Sequence, residues 1–289
     1  MTYLKQLLKK LDLCCLQEHW LFKPEQHLLH DIDTNMIVRA KSIDDENPEL
    51  SMIARRGYGG VAILWKKEMD DKISVMVDGS NRIQVIQMET DNTPLCLINV
   101  YMPSDNKDMD NEYKDTLAQM TEIITKYRNT HDILLCGYLN GSIHRPKTSH
   151  DPLLKKFLAE NSLELNQEYP EKQTFFHHNG KSSGQIDYFF SASKDLTQYE
   201  QNLDMEAENT SDHVPVIATI KRKLIRKSNK PKSVIVRTKW GKCNLQKYQL
   251  TISDGVEKIL QASNKNIEED ITSIEKVMHN ACNEAIPVV

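Results

Sequence analysis

The stretch "ILLCGYLNGSI", Ile133 to Ile143, decides the fold. It is an apolar run that breaks at Gly137 and then presents Tyr138, Leu139 and Asn140. Such a run reads as a buried strand whose end delivers polar side chains to the lip of a sheet, where open α/β folds place their chemistry. Just upstream, Tyr113, Leu117, Met120, Ile124 and Tyr127 recur at helical spacing and predict a helix. Just downstream, Asp151 and Pro152 read as the N-cap and first turn of a helix through Phe157 and Leu158. Further out, "GGVAILWK" (Gly59 to Lys66), "ISVMV", "RIQVIQME" and "LCLINVYMP" are β-branched runs broken by turn signals such as Asp78-Gly79, which predicts a largely antiparallel meander. "QIDYFFSA" and "HVPVIATI" add two strands. At the start, Leu4, Leu7, Leu8 and Leu11 mark an amphipathic helix, followed by "DLCCLQEHWL" as strand and then loop. Strand runs with interspersed helices give an α/β (α+β) class: a two-sheet β-sandwich flanked by helices.

A chain of 289 residues holds one large domain plus an appendage. The formal charge of −4 exerts no global pull toward nucleic acid or membrane, so attraction to a polyanion must be local. No window is apolar for long enough to span a bilayer, and "MTYLKQLLKKLD" lacks a continuous signal core. The expectation is an intracellular protein of nucleus or cytoplasm, not secreted and without a membrane partner. Cys14, Cys15, Cys96, Cys136, Cys243 and Cys282 lack Cys-x-x-Cys spacing and read as reduced core thiols. Composition divides the chain into a domain at 1–222, a basic linker at 223–233 within "KRKLIRKSNKPK", and a helical tail at 234–289 in which Ile267, Ile271, Ile274 and Met278 recur. The linker lysines are either a solvated spacer or a phosphate-gripping segment.

Several strand ends release polar groups: Gln17-Glu18, Asn99 with Tyr101, Asn140, Asp187, and Asp212-His213. Phosphodiester hydrolysis needs a cation to neutralise charge, a group to stabilise oxygens, and a base to orient water. Glu18 is the type of hard oxygen ligand that suits Mg²⁺, and Asp187 could fix the tautomer of a phosphate-facing His213. Bland readings stand beside these. Glu18 could be a surface residue, Tyr101 an ordinary strand aromatic, Asn140 a turn residue, and Ser211-Asp212-His213 a capping turn. His177-His178-Asn179-Gly180 reads best as an exposed hairpin tip.

The ordered segments "LQEHW", "GGVAI", "INVYMPS", "GYLN", "SSGQIDY" and "SDHVP" resemble the endonuclease/exonuclease/phosphatase superfamily, over roughly Leu11 to Ile220. Their wording looks most like the apurinic-type endonuclease domain of LINE-type non-LTR retrotransposons, and "RTKWGKCNLQKYQL" is similar to the segment leading toward reverse transcriptase there. The resemblance implies Mg²⁺ or Mn²⁺ as cofactor and DNA as partner. It makes Glu18 a metal ligand, Asp212 an acidic residue beside the metal, and Tyr101 and His213 phosphate contacts. It makes Asn140 the residue that places the attacking water and Asp187 the partner that orients His213. Thr174-Phe175 matches the family's Thr-Phe pair.

Two departures accompany it. Where the family pattern reads Gly-Asp-Phe-Asn, this chain has Gly137-Tyr138-Leu139-Asn140, and a phenol cannot accept a proton at neutral pH as that aspartate does. The family also begins with an Asn-bearing strand, whereas Met1 stands at the helix that follows it, so a central sheet position is expected to be unfilled. With no Tyr-x-Asp-Asp signature downstream, the chain reads as a fragment. Three functions compete: an impaired DNA endonuclease-like domain, a non-catalytic DNA- or protein-binding remnant, and a phosphatase on a small or lipid substrate.

Overall fold

The computed structural model describes residues 2–45, 47–144, 148–166, 169, 171–227, 242–261 and 267–286. The chain forms two compact units, Met1–Lys227 and Ser228–Val289.

In the first unit, α1 (Thr2–Leu8) leads into β1 (Leu13–Gln17), followed by α2 (His27–His30), β2 (Met36–Lys41), α3 (Leu50–Ile53) and β3 (Val61–Lys66). These strands make a three-stranded sheet in the order β1-β3-β2. Next come β4 (Ile73–Ser80), β5 (Ile83–Met88), β6 (Leu95–Tyr101), α4 (Asp110–Tyr127), β7 (Asp132–Tyr138), α5 (His150–Glu160), the short pair β8 (Phe175–Phe176) and β9 (Ser183–Gly184), and β10 (Asp187–Ser191). The second sheet is five-stranded, ordered β10-β7-β6-β5-β4, with β6 and β7 parallel and the rest antiparallel. Of the four runs read as one meander, three form it as β4-β5-β6, whereas "GGVAILWK" is β3 at the centre of the other sheet; α4 is the crossover a parallel pair needs. Among the described residues, β11 (Thr197–Asn202) and β12 (Val216–Ile220) pair only with each other. The two-sheet sandwich flanked by helices is the observed architecture.

Period-two alternation explains why both faces of the central strands are apolar. In β3, Ile63 and Trp65 face the second sheet while Ala62 and Leu64 face Leu8, Leu29 and Val38. In β6, Leu95 and Leu97 line the interlayer, whereas Cys96, Ile98 and Val100 meet Tyr113, Met120 and Ile124 of α4. In β7, Leu134 and Cys136 point inward to the other sheet, and Ile133 and Leu135 point to the helices. The layers are thus helix, sheet, sheet, helix. Continuing the inward alternation by one step brings out Asn99 and Tyr101 on β6 and Tyr138 on β7, so the site forms where the interlayer core runs out.

β1 has no strand partner on its far side among the described residues, and all five of its residues are only half-buried. The helix after "ILLCGYLNGSI" begins at His150, two residues earlier than read from sequence, and Ser149 occupies its cap position. Asp151 is not the cap. Its carboxylate accepts from Ser142 N at 2.7 Å and from Thr148 N and Oγ1, bracing the loop after β7.

In the second unit, α6 (Leu245–Gln261) pairs with α7 (Ile267–Ala285), which carries the Ile271, Ile274 and Met278 periodicity. Residues 228–233 of the expected linker lie outside the described residues. No described helix is long and apolar enough to cross a membrane.

Candidate active site

Three strands set the row on which the site is built. β6 and β7 run parallel with Tyr101 opposite Tyr138, and β10 runs antiparallel with Asp187 opposite Tyr138. Asp187 Oδ2 lies 2.8 Å from Nδ1 of His213, so the imidazole belongs to the same cluster. Tyr138 stands edge-on to His213 with ring centroids 4.4 Å apart, and 5.5 Å from the Tyr101 ring.

Glu18 joins from the other sheet. Its Oε1 accepts the Tyr101 hydroxyl at 2.5 Å, across a sequence separation of 83. Buried Asn99 makes that crossing rigid: its Nδ2 donates to the carbonyls of Leu16 and Ala62, and its Oδ1 accepts from Gln17 Nε2 at 2.6 Å. Asn99 is a staple between sheets, and each of its bonds is formed where water is excluded and an unpaired amide would be costly. Glu18 and Trp20 hold φ of 54° and 57°, left-handed values unusual for residues with a side chain. Gly59 and Gly60, at φ of 59° and 85°, make this turn possible by receiving Trp20 N and Glu18 N on their carbonyls. A Cβ on Gly60 would sit 2.4 Å from the His19 ring.

Asn140 is also left-handed, at φ 47°, and buried. Its Nδ2 donates to the Met102 carbonyl at 2.7 Å, so this amide is partly spent on holding the loop. Buried Thr174 shapes the approach to Asp187 by accepting the amides of Ile186 and Asp187 on its hydroxyl. Ser211, Asp212 and His213 do form a capping turn: Ser211 Oγ accepts His213 N, and Asn209 Nδ2 donates to the His213 carbonyl. That turn aims the imidazole at Asp187, so the bland and functional readings describe the same atoms. Asp212 is exposed, and its carbonyl accepts Phe176 N. His177 to Gly180 form the tip between β8 and β9, as expected.

The electrostatics follow from these neighbours. Burial is the largest influence on His213 and pulls its pKa down, but Asp187, with Glu18 and Asp212, outweighs it, and the net shift is upward. An imidazolium here favours a phosphate oxygen. The Tyr138 phenol goes the other way for catalysis: burial first, then Asp187, Glu18 and Tyr101, push it far above its ordinary value, despite a bond from Asn140 that lowers it. It stays protonated at any physiological pH and cannot serve as a base.

The raised His213 pKa makes a pH prediction. Protonation is tighter in the folded state, so its stabilisation is full below the unfolded value of about 6.5 and fades as pH rises through the folded value. In Asp187→Asn, burial remains and the largest of the counter-charges is gone, so the His213 proton resonances should titrate at lower pH than in the parent, and the stability loss on raising pH should shrink. An unchanged His213 titration would rule out Asp187 as the cause.

Sequence reasoning passed over Arg82. Its guanidinium stands 5.1 Å from the Tyr101 ring and bonds Glu112 at 2.7 Å. A lone arginine at a strand start carries no periodic signal that would have found it.

A family model described as the endonuclease/exonuclease/phosphatase family matches residues 1–213. The chain belongs to the endonuclease/exonuclease/phosphatase family. Among solved structures, a Neisseria 3′ phosphatase bound to a product DNA hairpin shares 17% identity at a TM-score of 0.58, over 76% of this chain and 93% of that one. The catalytic domain of Xenopus laevis APE2 shares 19% at 0.58, over 78% and 89%. The endonuclease domain of TRAS1, a telomere-specific non-LTR retrotransposon, shares 16% at 0.55, over 75% and 88%. At these identities the likeness is one of fold. No curated protein matches the chain in sequence.

The metal that the family implies can be weighed against the side chains present. Magnesium takes near-octahedral oxygen ligands and keeps one or two protein carboxylates. Among the described residues, no three His, Cys, Asp or Glu side chains are grouped to hold a metal ion. Glu18 has one oxygen engaged by a phenol, Asp187 is committed to His213, and the β7 position between them carries Tyr138. This donor set does not fit a dedicated divalent-cation site.

Proposed function

We propose that this chain is a retrotransposon-derived, metal-dependent DNA endonuclease-like domain whose phosphodiester hydrolysis is impaired. The observation that carries the reading is the row Tyr101–Tyr138–Asp187, with Glu18 and His213 attached to it. The phosphate-facing half of a hydrolytic site is present: His213 held by Asp187, and the Tyr101 hydroxyl held by Glu18. The half that handles water is defective. Tyr138 supplies a ring where a base is required, and Asn140 is turned toward Met102.

In this reading the ancestral Mg²⁺ or Mn²⁺ would meet Glu18, with Asp212 beside it, and would bind weakly because Asp187 is committed to His213 and Tyr138 brings no carboxylate. Supercoiled plasmid incubated with the purified protein and either cation is expected to show little nicking. A rate comparable to an intact family member would defeat the proposal.

The rival, a non-catalytic DNA- or protein-binding remnant, draws on the basic segment from Lys221. Among the described residues, three of its cations are already engaged: both Arg222 Nε and a terminal nitrogen bond Asp132, Arg226 Nε lies 2.9 Å from Asp71, and Lys227 Nζ donates to the Asp70 carbonyl. The buried Arg222–Asp132 pair fastens the segment to the domain, which weakens a phosphate-gripping role for that arginine, whereas Arg226 stays exposed. Neutralising Lys221, Arg222, Lys223 and Arg226 together should therefore lower stability more than DNA affinity. A large affinity loss in a fully folded variant would favour the rival.

A further inference from the structure

The second unit is a helical hairpin, with α6 of 17 residues packed on α7 of 19. Lys247, near the start of α6, lies 3.8 Å from Glu284, near the end of α7, so the two run antiparallel. Each helix turns a half-buried stripe toward the other: Ile252, Gly255 and Ile259 on α6, and Asp270, Ser273 and Val277 on α7. Gly255 and Val277 mark the closest approach, since a Cβ on Gly255 would fall 2.3 Å from Val277 Cγ1.

Large apolar residues follow these contact positions by one step. Val256 and Leu260 come directly after Gly255 and Ile259, and Ile271, Ile274 and Met278 directly after Asp270, Ser273 and Val277. One residue is a turn of about 100° around a helix axis. In an antiparallel pair, the same step taken on both helices swings to the same side of the hairpin, so these five side chains make one face. The opposite side is occupied by the residues one step before the contacts. There Lys247 and Thr251 both meet Glu284, a polar seam that fixes the phase of the two helices. The five apolar side chains are between 43% and 79% exposed, and neither stripe contains a charge. A contiguous apolar face left in water marks an interaction surface.

We propose that this face is covered by the same face of a second copy of the chain, so that two hairpins close into a four-helix bundle about a twofold axis. Two helices have no inside of their own, whereas four enclose a core lined by inward positions of every helix. The size fits. A 17-residue helix is about 26 Å long and neighbouring axes lie about 10 Å apart, so the face covers on the order of 500 Å². Two copies together bury about 1,000 Å², the area at which a specific interface begins. A twofold contact requires a patch that complements itself, and uncharged stripes of similar length do so without stranding an ion. Nothing in this depends on nucleic acid or hydrolysis.

Sedimentation equilibrium of the full chain over about 1–100 µM tests it and should show monomer passing to dimer. Ile274→Glu and Met278→Glu each put an unpaired charge in the middle of the face, and each should leave monomer throughout that range. Ile274→Ala combined with Met278→Ala keeps good helix formers and should weaken the dimer by about 10-fold or more, with helicity by circular dichroism unchanged. Leu250→Glu should keep the dimer, because exposed Leu250 lies about 200° from Ile252, on the side of α6 turned away from α7. Monomer at every concentration overturns the proposal. So does a dimer indifferent to the alanine pair, which would place the contact elsewhere, and so does a dimer lost equally in Leu250→Glu.

Discussion

Tyr138→Asp is expected to raise Mg²⁺-dependent plasmid nicking by about 10²- to 10⁴-fold over the unsubstituted chain, the range that a positioned general base contributes. The register explains the size of the effect. The new carboxylate would stand on β7 between Tyr101 and Asp187, with His213 in contact and Glu18 close enough to influence it. Like charges on Asp187 and Glu18 would raise its pKa unless a divalent cation neutralised them, so the gain should require the metal. Tyr138→Phe retains the ring and loses only a hydroxyl that never ionises, so it should match the starting protein. The readout is nicked circle on a gel, with circular dichroism confirming the fold. A folded Tyr138→Asp protein no faster than its parent would show that the defect lies elsewhere, and the impaired-nuclease reading would lose its main support.

The second large effect is structural. Gly137 holds φ of 138° directly opposite Val100 in the parallel register, and an added Cβ would fall 2.0 Å from the Val100 carbonyl oxygen. Backbone cannot rotate away as a side-chain tip can. Gly137→Ala combines overpacking with a disallowed backbone conformation, and should cost about 3 kcal/mol or more. For a domain of this size that is a fall in melting temperature of roughly 6–12 °C. Gly180→Ala, at the hairpin tip with nothing within 4 Å, carries only the conformational cost of about 1–2 kcal/mol. Equal melting temperatures for the two variants would mean that β6 and β7 can part at no cost. Gly137 also immediately precedes Tyr138, so the same substitution displaces the aromatic row.

Much of this was legible because the relevant signals are local. Alternation in "VAILWK" and "LCLINVY" marks both faces of β3 and β6, and the helical spacing from Tyr113 to Tyr127 marks α4. The position of Tyr138 follows from the period-two step beyond Leu134 and Cys136. Partners far apart in the chain were harder to read. Nothing around Asn99 or Gln17 announces that their amides meet across 82 residues, or that Asn99 would span two sheets rather than face substrate. Asp151 looked like a helix cap because local capping and a nine-residue reach back to Ser142 use the same carboxylate. Nothing around Arg222 announces that Asp132, 90 residues away, holds it.

The bare flank of β1 governs how this protein will behave at the bench. Among the described residues no strand pairs with its far side, so five residues with half-covered side chains and their outward amides and carbonyls form a template that an extended chain can extend by hydrogen bonding. Concentrated preparations should grow turbid through edge-to-edge zippering, faster as the protein stock is raised, and a solubilising fusion near Thr2 should slow that loss without touching the catalytic face.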